Sequence, residues 1–245
     1  MSGHRPPFAC ARTLLAGAAA AVAVLTASAA GFAASGAPPG AARDLAQVYF
    51  SNTLTRAEVV SVVGRSVHDY RIDEGRVTGI RPNAIDLLER DGTRQTISVA
   101  TSTHVVGRFF GPPSLARGTR VITVRDGDGP ATQIRPSTSA RVLGKIFFGA
   151  TLVRAEVLTY SAKTPHDYRI DEGRIVSVRA TSIVLLERDG TRQTIAVSSS
   201  TLVTEAGQPA DLTAVTRGQT AIAVREGNGP AVALYLFPGS LAGRR

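Results

Sequence analysis

Apolar and polar residues alternate on both sides of an Asp-Gly pair in a stretch that occurs twice without change, at 87–97 and 185–195. Such alternation is typical of strands with one buried face, and Asp-Gly between two strands favours a hairpin turn. A two-residue loop would leave neither face apolar, whereas a three-residue loop ending at Gly92 pairs Ile85 with Ile97. The pattern therefore predicts a β-hairpin that closes on a left-handed glycine.

The second copy predicts the same hairpin with a left-handed Gly190. In this register one leucine of each copy, Leu88 or Leu186, points outward beside arginines. Because both would otherwise lie exposed, we expect them to bury a contact between the repeats or between chains.

The rest of the first copy predicts a β-rich run at 54–63, a second hairpin with its tip at Glu74–Gly75, and a short helical turn at 113–118. Two final strands, at 119–125 and 131–135, complete the unit. In the second copy the helical turn would end before a glycine, as helices often do. Strand, strand, strand, short helix, strand, strand is the order of a small five-stranded barrel of the OB type. We therefore predict an all-β chain of two tandem small OB-like β-barrels, with a short helical turn in each, preceded by a signal-peptide helix.

The chain contains an internal duplication, since residues 50–103 match residues 148–201 at 32 of 54 positions. Two copies of a unit longer than solenoid repeats indicate two domains. The identities are concentrated in HDYRIDEGR and LLERDGTRQTI. Either hairpins with demanding turns tolerate little change, or these surfaces contact something. The predicted segments are a signal peptide and cleavage region (1–34), a flexible leader (35–48), repeat 1 (49–136), a linker (137–146), repeat 2 (147–238) and a tail (239–245).

The N-terminus has the architecture of a secretory signal. Arg5 and Arg12 precede an apolar run at 14–25, and small residues follow at 27–29. We expect cleavage and a secreted or extracytoplasmic protein, with an uncleaved membrane anchor as the alternative. The only cysteine, Cys10, would be removed with the signal, which excludes disulfides and thiolate sites from the exported chain.

Basic residues exceed acidic ones, and the excess lies in the first half. The formal charge is +9, and residues 49–136 hold 12 basic and 9 acidic residues, against 9 of each in residues 147–238. Guanidinium groups suit phosphate and carboxylate partners, so the sequence predicts an anion-binding face in repeat 1 that contacts an anionic cell-envelope polymer or an envelope protein. Export and the low aromatic content of 5% argue against nucleic acid. The candidate residues are Arg76, Arg81, Arg94, Arg117 and Arg120.

No catalytic or metal motif is complete. Each of His68 and His166 is followed by aspartate, yet neighbours on one strand point to opposite faces, and no nucleophile motif accompanies them. The turn at 126–129 has the oxygen density of a calcium loop but lacks its closing glutamate. We therefore expect no metal and no cofactor.

Three stretches carry a resemblance to a known group of domains: GRVTGI, AIDLLERDGTRQTISV and ARGTRVITV. With the export signal, they resemble the uncharacterised OB-like domains of unknown function in secreted actinobacterial proteins, over about residues 68–136 and 166–238. The resemblance implies a fold and a compartment and no site residues. The function we expect is an exported, non-catalytic binding or structural module of the cell envelope. The alternative is a cell-envelope hydrolase that uses His68 and His166.

Overall fold

The computed structural model describes residues 53–106, 115–137 and 152–237. The described chain is all-β, as the sequence predicts, and a 3-10 turn occupies Leu212–Ala214 at the place predicted for a helical turn in repeat 2. The strands of repeat 1 are β1 (Leu54–Val63), β2 (Ser66–Arg81), β3 (Ala84–Glu89), β4 (Arg94–Val105), β5 (Arg120–Asp126) and β6 (Ala131–Pro136). The strands of repeat 2 are β7 (Leu152–Ser161), β8 (Thr164–Arg179), β9 (Ser182–Glu187), β10 (Arg192–Ala196), β11 (Leu202–Glu205), β12 (Gln208–Ala210), β13 (Thr220–Glu226) and β14 (Ala231–Phe237).

The hairpin formed by β3 and β4 has the predicted register, with Ile85 opposite Ile97. The Glu89 N–H donates to the Thr93 carbonyl at 2.9 Å, and the Gly92 N–H donates to the Glu89 carbonyl at 3.2 Å. Gly92 has φ +85°, in the left-handed region that glycine adopts without steric cost. The three-residue loop is therefore confirmed.

The predicted second hairpin is wrong. β2 continues unbroken through Glu74 and Gly75, and both residues are buried. Glu74 pairs with Ile122 of β5, and Gly75 pairs with both β5 and β3, so the strand has neighbours on both sides where the turn was expected. The turn lies earlier, at Gly64, where β1 folds back onto β2. The prediction from Glu-Gly failed because the first half of β2 pairs with β1, whereas the predicted hairpin pairs it with the second half of β2.

A hairpin with its tip at Glu74–Gly75 also predicts that Asp73 forms a cross-strand ion pair with Arg76, and this prediction is wrong for the same reason. Asp73 is buried and accepts a hydrogen bond from Arg125 at 2.9 Å. Because both residues lie on one straight strand, three positions apart, their side chains point to opposite faces.

The strand pairings of each repeat close on themselves. In repeat 1, β2 pairs with β3, β3 with β4, β4 with β6, β6 with β5, and β5 returns to β2. All these pairings are antiparallel except that of β4 with β6. Repeat 2 follows the same path, but two shorter strands, β10 and β11, take the place of β4. Of these, β10 pairs with β9, and β11 makes the parallel pairing with β14.

The two repeats are joined by an antiparallel pairing of β1 with β7, which we call the seam. Glu58 lies opposite Glu156, its own counterpart at the repeat offset of 98. On either side, Ala57 pairs with Val157 and Val59 pairs with Ala155. Since equivalent positions lie symmetrically about residues 58 and 156, a local two-fold axis passes through the seam and relates the repeats.

Apolar residues form three clusters: one in repeat 1, one in repeat 2, and a central core to which both repeats contribute. The limits of the two predicted domains stay a prediction, but the described strands of both halves share one sheet and one core. The central core consists of Leu54, Ala57, Val59, Tyr70, Ile72, Ile122, Val124, Leu152, Ala155, Val157, Ile170, Ile222, Val224 and Phe237.

Several sequence predictions fall outside the described residues. They are the signal peptide, the leader, nearly all of the linker, the tail and the first two residues of the helical turn predicted at 113–118. The other four residues of that turn are described and form no helix: the Thr119 N–H donates to the Ala116 carbonyl at 3.2 Å in a non-helical turn. Among the residues that are described, no helix is long and apolar enough to cross a membrane.

Candidate functional site

Three of the five predicted anion-binding arginines lie in one row across repeat 1. Arg76 of β2 pairs with Arg120 of β5 on one side and with Leu88 of β3 on the other, and Leu88 pairs with Arg94 of β4. Residues paired across neighbouring strands point to the same face of a sheet. We call Arg120, Arg76, Leu88 and Arg94 the first arginine row.

Arg117 lies at the side of this row. The N–H of the next residue, Gly118, donates to the Val77 carbonyl at 2.8 Å, which holds the loop against β2 next to Arg76. Arg76, Arg94 and Arg117 are exposed, and none of them forms an ion pair with another described residue. Their guanidinium groups are therefore available to an external anion.

The other two predicted arginines have partners. Arg120 contacts the buried Glu74 carboxylate at 3.4 Å. Arg81 forms an ion pair with Asp86, which also accepts a hydrogen bond from Thr96 at 2.8 Å. That hydrogen bond is the main reason that the pKa of Asp86 is lowered, and Arg81 adds to the effect. Arg81 and Arg120 are therefore less available to an anion than Arg76, Arg94 and Arg117.

Repeat 2 contains an equivalent row with one arginine fewer. Arg174 of β8 pairs with Thr220 of β13 and with Leu186 of β9, and Leu186 pairs with Arg192 of β10. Exposed Arg217 takes the place of Arg117. We call Thr220, Arg174, Leu186 and Arg192 the second arginine row.

The two outward leucines lie in the middle of these rows. Leu88 and Leu186 are half-buried, and each has an arginine on both sides in the register. Neither belongs to the seam or to the central core, through which the described parts of the two repeats meet. The contact predicted for these leucines stays a prediction. Because they lie away from the seam and the central core, a contact between two chains is the version of it to test.

A buried network of ion pairs connects the stretches that are identical in the two repeats. Glu74, from HDYRIDEGR, is 1% exposed and accepts a hydrogen bond at 3.1 Å from Arg90 in LLERDGTRQTI. Arg56 of β1 contacts Glu89 at 3.3 Å and donates a hydrogen bond to Asp91 in the hairpin loop. The identical stretches therefore contact each other within a repeat, which explains their sequence identity without an external partner.

Glu89 is the most perturbed carboxyl group of this network. Its side chain is fully buried, and neither of its oxygens has a hydrogen-bond partner among the described residues, because the contact with Arg56 lacks hydrogen-bond geometry. Burial raises the pKa of Glu89 to about 8, Arg56 opposes that rise, and the nearby carboxylates Asp73 and Asp91 add to it. Glu89 is therefore largely protonated at neutral pH.

The second repeat contains the same network. Arg154 of β7 donates hydrogen bonds to Glu187 at 2.6 Å and to Asp189 at 2.8 Å, while Arg188 binds Glu172 at 3.2 Å. Burial raises the pKa of both Glu172 and Glu187 to about 7, against the opposing effect of their arginine partners. These carboxyl groups are closed off from solvent, so their arrangement suits a structural role better than contact with a ligand.

The two histidines have carboxylate partners that the sequence analysis missed. His68 Nδ1 lies 2.8 Å from Asp126, the last residue of β5, and His166 Nδ1 lies 2.8 Å from Glu226, the last residue of β13. Ser61 is opposite His68 in the register, but it is 1% exposed and its hydroxyl makes no hydrogen bond with a described residue. In the described part of the chain, no group of three or more His, Cys, Asp or Glu side chains is placed to hold a metal ion.

A comparison with known proteins finds no family model and no curated protein sequence that matches this chain. The arginine rows, the buried networks and the histidine pairs are the features of this chain that bear on its function.

Proposed function

We propose that this protein is an exported, non-catalytic binding module of the cell envelope and that the first arginine row binds an anionic polymer. The module consists of two OB-like five-stranded barrels, one in each repeat. The order of pairing in repeat 1 supports the barrels. When the five strands of the ring, β2 to β6, are counted from β2, they pair in the order first, second, third, fifth, fourth, which is the OB arrangement. The predicted signal peptide supports export.

The observation that carries the proposal is the alignment of unpaired arginines. Arg76 and Arg94 are two strands apart in one row, and neighbouring strands are about 4.8 Å apart, so their Cα atoms lie roughly 10 Å from each other. Half-buried Leu88 separates them. Arg94 interacts electrostatically with the carboxylate of Asp86, but Asp86 forms its ion pair with Arg81. Two guanidinium groups at this spacing suit successive charged groups of a polymer better than a single small anion.

The test is retention of the purified protein on isolated envelope material and on two defined polymers, long-chain polyphosphate and polyglutamate, across a salt series. Exposed charges are screened over about 10 Å at 0.1 M salt, so retention should fall as salt rises. Arg76→Gln combined with Arg94→Gln should weaken binding at least tenfold. The slope of log affinity against log salt should fall by about one for each contact that is lost.

The matched control is Arg65→Gln combined with Arg179→Gln. It removes the same charge from two exposed arginines that lie outside the rows and form no ion pair with a described residue. If the two double variants lose equal affinity, net charge and not the row governs binding. If the unchanged protein is not retained even at low salt, the polymer proposal is wrong.

A second candidate, an envelope hydrolase, is favoured by the 2.8 Å contact between His68 and Asp126, since a carboxylate can orient a catalytic imidazole. The buried position of Ser61 opposes it, because a nucleophile must reach the substrate. A hydrolytic activity on the same envelope material that disappears in His68→Ala or His166→Ala would favour the enzyme.

A further inference from the structure

The second arginine row is a candidate site in its own right. Arg174 and Arg192 are exposed, and neither forms an ion pair with another described residue. Half-buried Leu186 lies between them, as Leu88 does in the first row. The main difference is Thr220 in place of Arg120, but Arg120 is already engaged by Glu74, so the available charge of the two rows is nearly equal.

Both rows open on the same face of the sheet. Residues an even number of positions apart on one strand share a face, so Arg76 shares the face of Tyr70 and Ile72. Both of these residues belong to the central core. In repeat 2 the same argument places Arg174 on the face of Ile170. The two rows therefore flank the central core and are exchanged by the local two-fold axis.

The separation of the rows follows from the register. Arg71 and Arg169 are level with the axis, because they pair with Glu58 and Glu156. Arg76 lies five residues after Arg71 on β2, and Arg174 lies five residues after Arg169 on β8. Because β2 and β8 run in opposite directions, the two rows lie on opposite sides of the axis. At about 3.3 Å per residue, with three strand spacings of about 4.8 Å between β2 and β8, the rows lie roughly 35 Å apart in a flat sheet.

We propose that the two rows form a bivalent site for a single polyanionic chain, which binds repeat 1 and repeat 2 at once. This inference rests on the proposed function of the first row and adds the requirement that the ligand be a polymer long enough to span both rows. Binding at one row confines the rest of the polymer near the other, which can raise affinity by about 10² to 10⁴ without any new contact. The seam and the shared core fix the spacing, so no flexible link dilutes this effect.

The experiment compares tripolyphosphate, which is too short to span the rows, with long-chain polyphosphate, using calorimetric titration of the full chain. Tripolyphosphate should bind weakly with two equivalents per chain, and long-chain polyphosphate should bind at least 100-fold more tightly. Arg174→Gln combined with Arg192→Gln should leave one equivalent of tripolyphosphate and remove most of the additional affinity for the long polymer. The control pair, Arg65→Gln with Arg179→Gln, should leave the stoichiometry unchanged.

The outcomes separate this inference from the function on which it rests. If the second-row variant binds the long polymer as tightly as the unchanged protein, while Arg76→Gln with Arg94→Gln weakens it, the bivalent site is wrong and the single-row function stands. If neither double variant weakens binding, both proposals fail. Equal affinity for short and long polyphosphate would also overturn bivalency.

Discussion

The buried Glu89 should make the protein more stable in mild acid than in mild alkali. Its pKa rises from 4.5 for an accessible glutamate to about 8 in the folded chain, chiefly because of burial. The folded state therefore holds the proton more tightly than the unfolded state, and the stabilisation that is complete below pH 4.5 is lost as the pH rises to about 8. At about 1.4 kcal/mol for each pKa unit, this difference corresponds to about 5 kcal/mol.

That magnitude is a large part of the 5 to 15 kcal/mol by which domains are typically stable. The variant Glu89→Gln tests it, because glutamine has nearly the same shape and cannot ionise. We expect the variant and the unchanged protein to have similar stability at pH 4.5. At pH 8.5 the variant should be more stable by several kcal/mol, since it avoids a buried charge whose oxygens accept no hydrogen bond from any described residue.

The measurement is denaturant unfolding at a series of pH values, with the midpoint and slope analysed together. The control is Asp128→Asn, which removes an exposed carboxylate and introduces the amide that repeat 2 already has at this position. Parallel stability curves for the unchanged protein and Glu89→Gln between pH 4.5 and 8 would refute the reasoning. The same slope in the Asp128→Asn curve as in the unchanged protein would show that the effect belongs to the buried site.

Four further predictions concern a close strand contact, a hairpin turn, the outward leucines and the N-terminus. Gly173→Ala should destabilise the fold by about 1 to 3 kcal/mol in thermal melts, because the added Cβ would lie 2.7 Å from the Leu186 carbonyl oxygen; an unchanged melting temperature would contradict this. Lys163→Gly should stabilise it by about 1 kcal/mol, since Lys163 has φ +66° in a hairpin turn, and equal or lower stability would count against the turn geometry. Leu88→Arg with Leu186→Arg should shift any self-association measured by light scattering towards the monomer, whereas an unchanged particle size would remove the predicted contact between chains. N-terminal sequencing of the native product should begin near Ala30; an intact start in the membrane fraction would indicate an anchor.

Local rules were sufficient for the main hairpin. The apolar alternation and the Asp-Gly pair predicted a three-residue loop and its register, and the structure has both. This prediction succeeds because a one-residue slip would expose every buried side chain of the hairpin, so a short stretch of sequence determines the pairing. The same local reasoning failed at Glu74–Gly75, where neighbouring strands that are distant in sequence decide whether the chain turns.

The candidate site was also only partly predictable from the sequence. Composition located the excess of arginine in repeat 1, but the alignment of Arg120, Arg76, Leu88 and Arg94 depends on pairings among four strands. The identity of HDYRIDEGR and LLERDGTRQTI indicated a constraint without revealing its nature. Only the fold brings Glu74 to Arg90 and Asp73 to Arg125. Ion pairs between residues far apart in sequence leave no periodic signal in either partner.

The amino-acid sequence is enough to predict the all-β class, the duplication and the turn at Gly92, because these depend on side-chain alternation and on the φ preferences of a few residues. Three features become visible only in the folded chain: β1 pairs with β7, the repeats share a core, and Glu58 and Glu156 lie on a common two-fold axis. The sequence of an edge strand does not identify its partner, since any β-strand can offer the same backbone donors and acceptors. The choice of partner is made by the packing of whole faces, which no single stretch of the chain contains.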